Sequence, residues 1–340
     1  MKKYLKYFAI FLIIIFVLPA ICTKRTVKEN KKEEVKEEQK VEESKQEEAT
    51  YNYSKYKTIK LYHTATEKIE EVPFDEYLYG TVSAEMPASY DIEALKAQAV
   101  VSRTYTLYQI MNGKKRHKDA NICDNYACCQ AWISKEDRLK KWKEDVRESN
   151  WKKITEAVNS TSGKIITYKN KPIDAFFHSN SGGKTEAVAD VWGGSNFPYL
   201  QSVETAGETE YSQYSSEVKL SKDDLIKKLK EKHNDIKIDF KDKEAIKIID
   251  YTSGGRVKTI KFGNIQIAGT EARSLLGVKS ANFTVKIEND DVIFSVIGYG
   301  HGVGMSQTGA DSMAKNGSNY EDIIKHFYTG VTISEVNDLQ

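Results

Sequence analysis

The sequence has little proline, little cysteine and almost no net charge, and these shortages exclude several classes of protein. Five prolines and 20 glycines among 340 residues are too few for a collagen-like or proline-rich disordered chain. The 51 lysines and arginines are balanced by 49 acidic residues, so no strong overall field attracts phosphates and we expect no nucleic-acid partner. The 40% of apolar residues instead predicts a globular body.

Familiar catalytic motifs are missing as well. The sequence contains neither a GxxxxGK[ST] phosphate loop nor an HExxH zinc-protease motif. The nearest approach to the nucleophile elbow of serine hydrolases is GMSQT at residues 304–308, which ends in Thr308 where the motif requires glycine. The sequence therefore does not predict a serine hydrolase.

An uncharged apolar run lies at the start of the chain. Residues 7–21 follow three lysines, which is typical of an export signal or a membrane anchor. Because the branched Ile21 precedes Cys22 and suits cleavage poorly, we interpret residues 1–22 as an uncleaved signal anchor. We expect a single-pass protein of the cell membrane with its folded body on the extracytoplasmic side.

The remainder of the chain divides by composition. Residues 23–56 are mostly charged and polar and predict a linker, since they cannot bury enough apolar surface to fold. We expect residues 57–216 and 298–340 to form one domain, with a smaller α+β subdomain at 217–297.

Periodicity predicts an α+β fold. Alternation at residues 58–62 indicates a strand, and a strong helix pattern extends from residue 91 to the glycine at 113. A further helix is expected at 142–160. Glycine-rich turns between residues 164 and 203 favour short strands.

The first candidate site is Glu85, which lies among small and apolar residues just before the long helix. A carboxyl group in such surroundings tends to keep its proton near neutral pH. Lys96 and Arg103 are seven residues apart and therefore share one helix face. One acid beside two cations suggests a groove for a polar polymer, whereas the alternative is a helix cap and two solvated charges.

The second candidate site is His117-x5-Cys123-x5-Cys129. Two thiolates, an imidazole and an open fourth position suit Zn²⁺. A disulfide or plain reduced thiols remain alternatives. Because neighbours on an extended chain point to opposite sides, we expect the adjacent Cys128 to stay out of the ligand set.

The third candidate site is the glycine-rich segment at residues 300–307. Its alternating glycines allow the backbone to approach a ligand, which leaves His301 and Gln307 to line a cleft. A purely structural histidine is the alternative. His178, in the similar segment 176–183, has the same two interpretations.

Four segments together resemble the stage II sporulation protein D family, which also contains the amidase enhancers. They are SAEMP at 83–87, EALKAQAVVSRTY at 93–105, FFHSNSGG at 176–183 and GHGVGMSQ at 300–307. The resemblance extends in order from residue 58 to residue 330. The histidine and cysteine spacing, together with the anchor, is similar to the zinc-containing clostridial branch.

The resemblance implies a peptidoglycan lytic transglycosylase that cuts glycan strands between N-acetylmuramic acid and N-acetylglucosamine during engulfment of the forespore. It implies that Glu85 is the catalytic acid, in a groove built from helices and short antiparallel strands. It also implies that the glycan is held by Lys96, Arg103, Tyr199, His301 and Gln307. The chain departs from the family at Gln201, where lysine is common, and at Thr308, where tyrosine is frequent.

The resemblance also implies a cofactor and partners. We assign zinc a structural role in the loop 117–129 beside the groove. The expected partners are peptidoglycan glycan strands and the stage II sporulation proteins P and M. One alternative is a non-catalytic glycan-binding activator of a cell-wall amidase. Another is a zinc amidase or peptidase, which lacks an evident general base beside the metal ligands.

Overall fold

The computed structural model describes residues 51–112, 117, 119–194 and 197–339. The predicted signal anchor and most of the predicted linker therefore lie outside the described residues. In the ranges given, no helix is both long and apolar enough to cross a membrane.

The predicted α+β class is confirmed. The described helices are α1 (Phe74–Glu85), α2 (Ile92–Asn112), α3 (Lys135–Lys141), α4 (Glu144–Asn159), α5 (Val188–Val191), α6 (Lys222–Lys230), α7 (Gly269–Leu276), α8 (Gln307–Lys315) and α9 (Tyr320–Phe327). Short 3₁₀ turns cover Glu208–Glu210 and Val336–Asp338.

The strands form small sheets that are mostly antiparallel. They are β1 (Thr58–His63), β2 (Lys68–Pro73), β3 (Ile122–Cys123), β4 (Lys164–Tyr168), β5 (Lys171–Pro172), β6 (Phe177–His178), β7 (Ser215–Ser221), β8 (Ile246–Tyr251), β9 (Val257–Phe262), β10 (Ile265–Ala268), β11 (Phe283–Glu288), β12 (Asp291–Ile297), β13 (Met305–Ser306) and β14 (Thr332–Glu335). The sheet orders are β2-β1-β3, β10-β9-β8, β11-β12-β7, β13-β6 and β14-β4-β5. The pairs β1-β3 and β13-β6 are parallel, which the prediction of antiparallel strands missed.

Helix α2 passes through the centre of the body. Its side chains are buried almost continuously from Ala94 to Leu107, and a helix with apolar or small residues on every side is typical of such an interior position. The Asp91 carboxylate accepts the backbone N–H of Glu93 at 2.9 Å and so caps the helix. The predicted long helix is confirmed.

A second apolar core lies wholly within residues 217–297. It is formed by α6, α7 and the inner faces of the sheets β10-β9-β8 and β11-β12-β7, with Leu225, Phe262 and Phe294 fully buried. The predicted subdomain boundary stays a prediction, since Asn52–Gln340 as a whole form one compact unit.

The turn between β8 and β9 joins this second core to the rest of the body. The Thr252 hydroxyl donates to the Glu186 carboxylate at 2.9 Å, and the Arg256 guanidinium donates to the carbonyl of Ser181 at 2.8 Å. The buried Arg256 packs against Gly302, where an added Cβ would lie 1.7 Å from the guanidinium. The second core therefore packs against the glycine-rich segment at residues 300–307 through Arg256.

Candidate active site

Glu85 is the last residue of α1 and is half-buried. Its carboxylate accepts the backbone N–H of Ala131 at 2.6 Å and a hydrogen bond from the side chain of Gln307. Burial raises the pKa of Glu85 to about 7, because it outweighs these two hydrogen bonds, which lower the pKa. A carboxyl group with this pKa can both donate and accept a proton near neutral pH.

Gln307 reaches Glu85 from the start of α8. Its side-chain amide also bonds Gln98 at 3.4 Å, and Gln98 in turn donates to the Ser102 hydroxyl at 2.9 Å. The structure thus brings Gln307 to the predicted acid. Sequence reasoning missed Gln98, although this residue lies inside one of the family-like segments.

A buried carboxylate supports the segment around Gln307. Glu208 accepts hydrogen bonds from the hydroxyls of Ser306 and Thr308, and from the backbone N–H groups of Ser181 (3.0 Å) and Gly183 (2.9 Å). Burial alone would raise the pKa of Glu208, but these hydrogen bonds outweigh it and lower the pKa. Glu208 therefore stays ionised, and sequence reasoning did not identify it.

The loop on the other side of Glu85 is held by Gln130. Its amide donates to the Tyr77 hydroxyl at 3.1 Å and to the Thr106 hydroxyl at 3.0 Å. Because Gln130 directly precedes Ala131, these bonds fix the N–H group that binds Glu85. Sequence reasoning missed this residue too.

Lys96 is not brought to Glu85. Its ammonium group bonds Glu93 at 2.7 Å, and the other Glu93 oxygen accepts the N–H of Tyr320 at 2.8 Å. Gln98 lies two residues further along α2 and so points about 200° away from Lys96. The predicted glycan contact of Lys96 stays a prediction.

Arg103 occupies the interior instead of a groove. Its side chain is fully buried and donates to the Tyr53 hydroxyl (3.1 Å) and the Thr161 carbonyl (2.9 Å), and it pairs with Asp75 at 3.4 Å. No part of the side chain is exposed to a glycan, so the structure corrects the prediction of a groove cation.

Tyr199 and His301 are also held by the protein. The Tyr199 ring is buried, and its hydroxyl accepts the N–H of Asp174 at 3.0 Å. His301 is half-buried, and its Nδ1 accepts the N–H of Val303 at 3.1 Å. Burial and the neighbouring His178 hold the pKa of His301 well below its usual value. The imidazole is therefore neutral, while its glycan contact stays a prediction.

Gln201 and Thr308, the two positions at which the chain departs from the family, each form a hydrogen bond within the protein. Gln201 is exposed and donates to the carbonyl of Pro198 at 3.1 Å. Thr308 is buried within the hydrogen bonds of Glu208 and accepts from Asn180 at 2.9 Å.

The predicted metal residues form a cluster that also includes Cys128. The donor atoms of His117, Cys123, Cys128 and Cys129 all lie within 4.8 Å of one another. His117 Nε2 is 3.4 Å from the Cys128 sulfur and 3.6 Å from the Cys129 sulfur, and these two sulfurs are 3.9 Å apart. No disulfide joins any two of these three cysteines.

The prediction that Cys128 stays outside the cluster was wrong because the chain is not extended there. The carbonyl of Asn125 accepts the N–H groups of both Cys128 (3.0 Å) and Cys129 (2.8 Å), as in a helical turn. Neighbouring side chains in such a turn diverge by about 100° rather than 180°, so both sulfurs face His117.

The chain matches the family described as "SpoIID: Stage II sporulation protein" over residues 62–168. It is 37% identical over 281 residues to "Stage II sporulation protein D" of Bacillus subtilis (strain 168), covering 82% of this chain and 80% of that protein. The chain belongs to the stage II sporulation protein D family. The matched region contains Glu85, all of α2 and the histidine and cysteine cluster.

Further relatives extend the comparison. The "Stage II sporulation protein D" of Bacillus amyloliquefaciens is 36% identical over 281 residues, which cover 82% of this chain and 79% of that protein. The "Amidase enhancer" of Bacillus subtilis (strain 168) is 28% identical over 311 residues, which cover 76% of this chain and 40% of that protein. The chain is therefore similar to proteins that carry two different names.

Proposed function

We propose that this protein is a lytic transglycosylase that cuts peptidoglycan glycan strands between N-acetylmuramic acid and N-acetylglucosamine. The observation that carries the proposal is Glu85, a half-buried carboxyl group whose pKa is about 7. The Ala131 N–H and the Gln307 amide bond this carboxyl group. Such a group suits general acid catalysis followed by general base catalysis.

The reaction needs a single acid. Protonated Glu85 donates its proton to the glycosidic oxygen as the bond from that oxygen to C1 of the muramic sugar breaks. The C6 hydroxyl oxygen of the same sugar bonds to C1, and its proton passes to the Glu85 carboxylate. The products are a free hydroxyl on the leaving strand and a 1,6-anhydro ring, and Glu85 regains its proton. Since the two reacting atoms share one sugar, ring closure benefits from a high effective molarity.

The surroundings of Glu85 support this chemistry over hydrolysis. Hydrolytic glycosidases use a second carboxylate as base or nucleophile. Among the residues that the structure describes, no other acidic side chain contributes to the shift in the Glu85 pKa. A transglycosylase needs no second carboxylate, because the C6 hydroxyl takes the place of water.

The histidine and cysteine cluster fits zinc. Tetrahedral Zn²⁺ with bonds of about 2.3 Å to sulfur places two sulfurs about 3.8 Å apart, and Cys128 and Cys129 are separated by 3.9 Å. We propose that His117, Cys123, Cys128 and Cys129 hold a structural zinc ion. A bound zinc would cross-link the loop that leads through Gln130 to Ala131. Four protein ligands leave no position for an attacking water, which disfavours a zinc amidase.

The setting of the reaction is part of the proposal and is supported by family membership alone. The substrate would be peptidoglycan during forespore engulfment, with stage II sporulation proteins P and M as partners. We propose that residues 1–22 anchor the protein in the cell membrane and that the folded body lies on the extracytoplasmic side.

The decisive experiment is mass spectrometry of purified glycan strands after incubation with the protein. We expect strands ending in 1,6-anhydro-N-acetylmuramic acid, at a rate that declines above pH about 7 because the acid must be protonated. Glu85→Gln should lower this rate by about 10²-fold or more while glycan binding remains.

The matched control is Glu76→Gln, which changes an exposed glutamate on the same helix and should leave the rate unchanged. Normal turnover by a folded Glu85→Gln protein would overturn the assignment.

The second candidate function is a non-catalytic activator of an amidase, favoured by the similarity to an amidase enhancer. An activator would bind the same strands without producing anhydro ends. It would instead increase the peptide release catalysed by an added amidase, so the two functions give different products.

A further inference from the structure

An exposed indole lies near the proposed active site without an assigned role. Trp192 follows the short helix α5 and is 50% exposed. The centre of its ring lies 4.9 Å from that of Phe176 and 5.0 Å from that of His301. We name these three side chains the Trp192 platform. A half-exposed group of rings of this kind is characteristic of a binding surface.

One face of helix α2 extends from the neighbourhood of Glu85 to the Trp192 platform. Gln98, Ser102 and Tyr105 are spaced i, i+4, i+7 and therefore share one helix face. Gln98 contacts the Gln307 amide at the end near Glu85, and Tyr105 contacts the Phe176 ring at the other end with ring centres 6.2 Å apart. These contacts are about 10 Å apart along the helix axis, at 1.5 Å per residue.

The paired strands β6 and β13 provide a second connection between the two places. The N–H of Met305 donates to the carbonyl of Phe176 at 3.1 Å. Gln307 follows Met305 by two residues, about 7 Å along an extended chain. Both routes place the Trp192 platform beside the site of Glu85 rather than on a remote face.

Hydrogen bonds hold the chain at the platform, and the described residues leave space at the two glycines that follow Trp192. The backbone N–H of Trp192 donates to the carbonyl of Val188 at 2.9 Å. The Nδ1 atom of His301 accepts the backbone N–H of Val303. A Cβ added at Gly193 or Gly194 would meet nothing within 4 Å. None of the described residues therefore crowds the backbone that directly follows Trp192.

We propose that the Trp192 platform binds the apolar face of an aminosugar in the same glycan strand that Glu85 cuts. The inference rests on the proposed function and names a further binding subsite for its substrate. The ring C–H groups of a β-linked pyranose form an apolar face, and burying that face against an indole removes both surfaces from water.

The chemistry of the platform favours a sugar over a stem peptide. Trp192 and Phe176 carry no charge, and His301 is neutral because its pKa is well below the usual value. A charged peptide would find no ion-pair partner among these three side chains, whereas an uncharged N-acetylated sugar needs none.

The test compares three single variants of the full chain with the wild type. Trp192→Ala removes the platform surface and Trp192→Phe keeps part of it. The matched control is Tyr251→Ala, which removes a ring of similar exposure, 54%, from strand β8. Thermal unfolding of each variant first establishes that the fold is retained.

The first measurement is the affinity for β-1,4-linked N-acetylglucosamine oligomers of increasing length. We expect Trp192→Ala to weaken binding of long oligomers about tenfold, Trp192→Phe to weaken it less, and Tyr251→Ala to have no effect. Short oligomers should show little difference, because they cannot span the distance from Glu85 to Trp192. Equal affinity of Trp192→Ala and wild type at every length would overturn the proposal.

The second measurement separates this inference from the proposed function. On glycan strands stripped of stem peptides, Trp192→Ala should raise KM about tenfold and change kcat by less than about threefold, since the ring does not touch the reacting bond. If the wild type yields no anhydro ends but binds oligomers through Trp192, the proposed function fails and the subsite stands. A loss seen only with peptide-bearing strands would identify a peptide subsite and overturn the sugar proposal.

Discussion

The carboxyl group of Glu85 shows at the scale of one residue how burial sets both chemistry and stability. The pKa of Glu85 rises from 4.5 to about 7 because the ionised form loses hydration in its half-buried position. The folded protein therefore binds this proton more tightly than the unfolded chain does. It follows that the contribution of Glu85 to the free energy of unfolding decreases as the pH rises from about 4.5 through about 7.

Glu85→Gln should accordingly stabilise the protein at pH 8 and leave its stability nearly unchanged at pH 4. The expected gain at pH 8 is about 1–3 kcal/mol, since the amide carries no charge to desolvate. Urea unfolding at the two pH values measures this difference. The exposed control Glu76→Gln should show no such dependence, and equal stability of Glu85→Gln and wild type at pH 8 would contradict the cause given for the pKa shift.

Arg103 and Lys96 share a helix face but should respond differently to substitution. Arg103→Ala removes the ion-pair partner of Asp75 and one hydrogen-bond donor from each of three interior carbonyls, so we expect a loss of about 3–5 kcal/mol in the free energy of unfolding. Lys96→Ala removes only a partly exposed pair with Glu93 and should cost less than about 1 kcal/mol. Denaturant titration of both variants checks this, and similar losses would contradict the placement of Arg103.

At the scale of elements, close packing determines where the chain needs glycine. Gly302 has a φ of +85°, and an added Cβ would lie 1.7 Å from the buried guanidinium of Arg256. Gly255 has a similar φ of +87° but open space around it. Alanine at Gly255 would therefore add backbone strain alone, whereas alanine at Gly302 would add similar strain and a clash with Arg256.

Gly255→Ala should cost about 1 kcal/mol from backbone strain alone. Gly302→Ala should cost about 1–3 kcal/mol more, because it also displaces Arg256 from beneath the glycine-rich segment. Urea unfolding of the two variants gives the comparison. Equal losses would show that Arg256 moves away at no cost.

The loop that carries the histidine and cysteine cluster gives a further prediction for one element. Since Cys128 and Cys129 both face His117, Cys128→Ser and Cys129→Ser should each lower the zinc content from about one ion per chain. Elemental analysis of the purified proteins measures it. Retention of a full zinc ion by Cys128→Ser would restrict the site to the three residues predicted from the sequence spacing.

The molecule combines a body built around the central helix α2 with a second core within residues 217–297, and local patterns anticipated most of its elements. The strand at Thr58–His63, the helices Ile92–Asn112 and Glu144–Asn159 and the α+β class are confirmed, because periodicity and glycine stops depend on neighbouring residues. The parallel pair of β6 and β13 was missed, since it joins residues about 130 positions apart. This pair brings Gln307 towards Glu85.

The sequence by itself predicted the candidate acid Glu85, determined the fold class and supplied the residue types of the histidine and cysteine cluster. Each of these depends on chemistry or spacing within a short segment. Only the tertiary structure decided that Arg103 is interior, that Cys128 joins the cluster and that Ala131 and Gln307 hold Glu85. The reason is physical: burial, and with it the pKa of Glu85, depends on residues that are distant in sequence and become neighbours only when the chain folds.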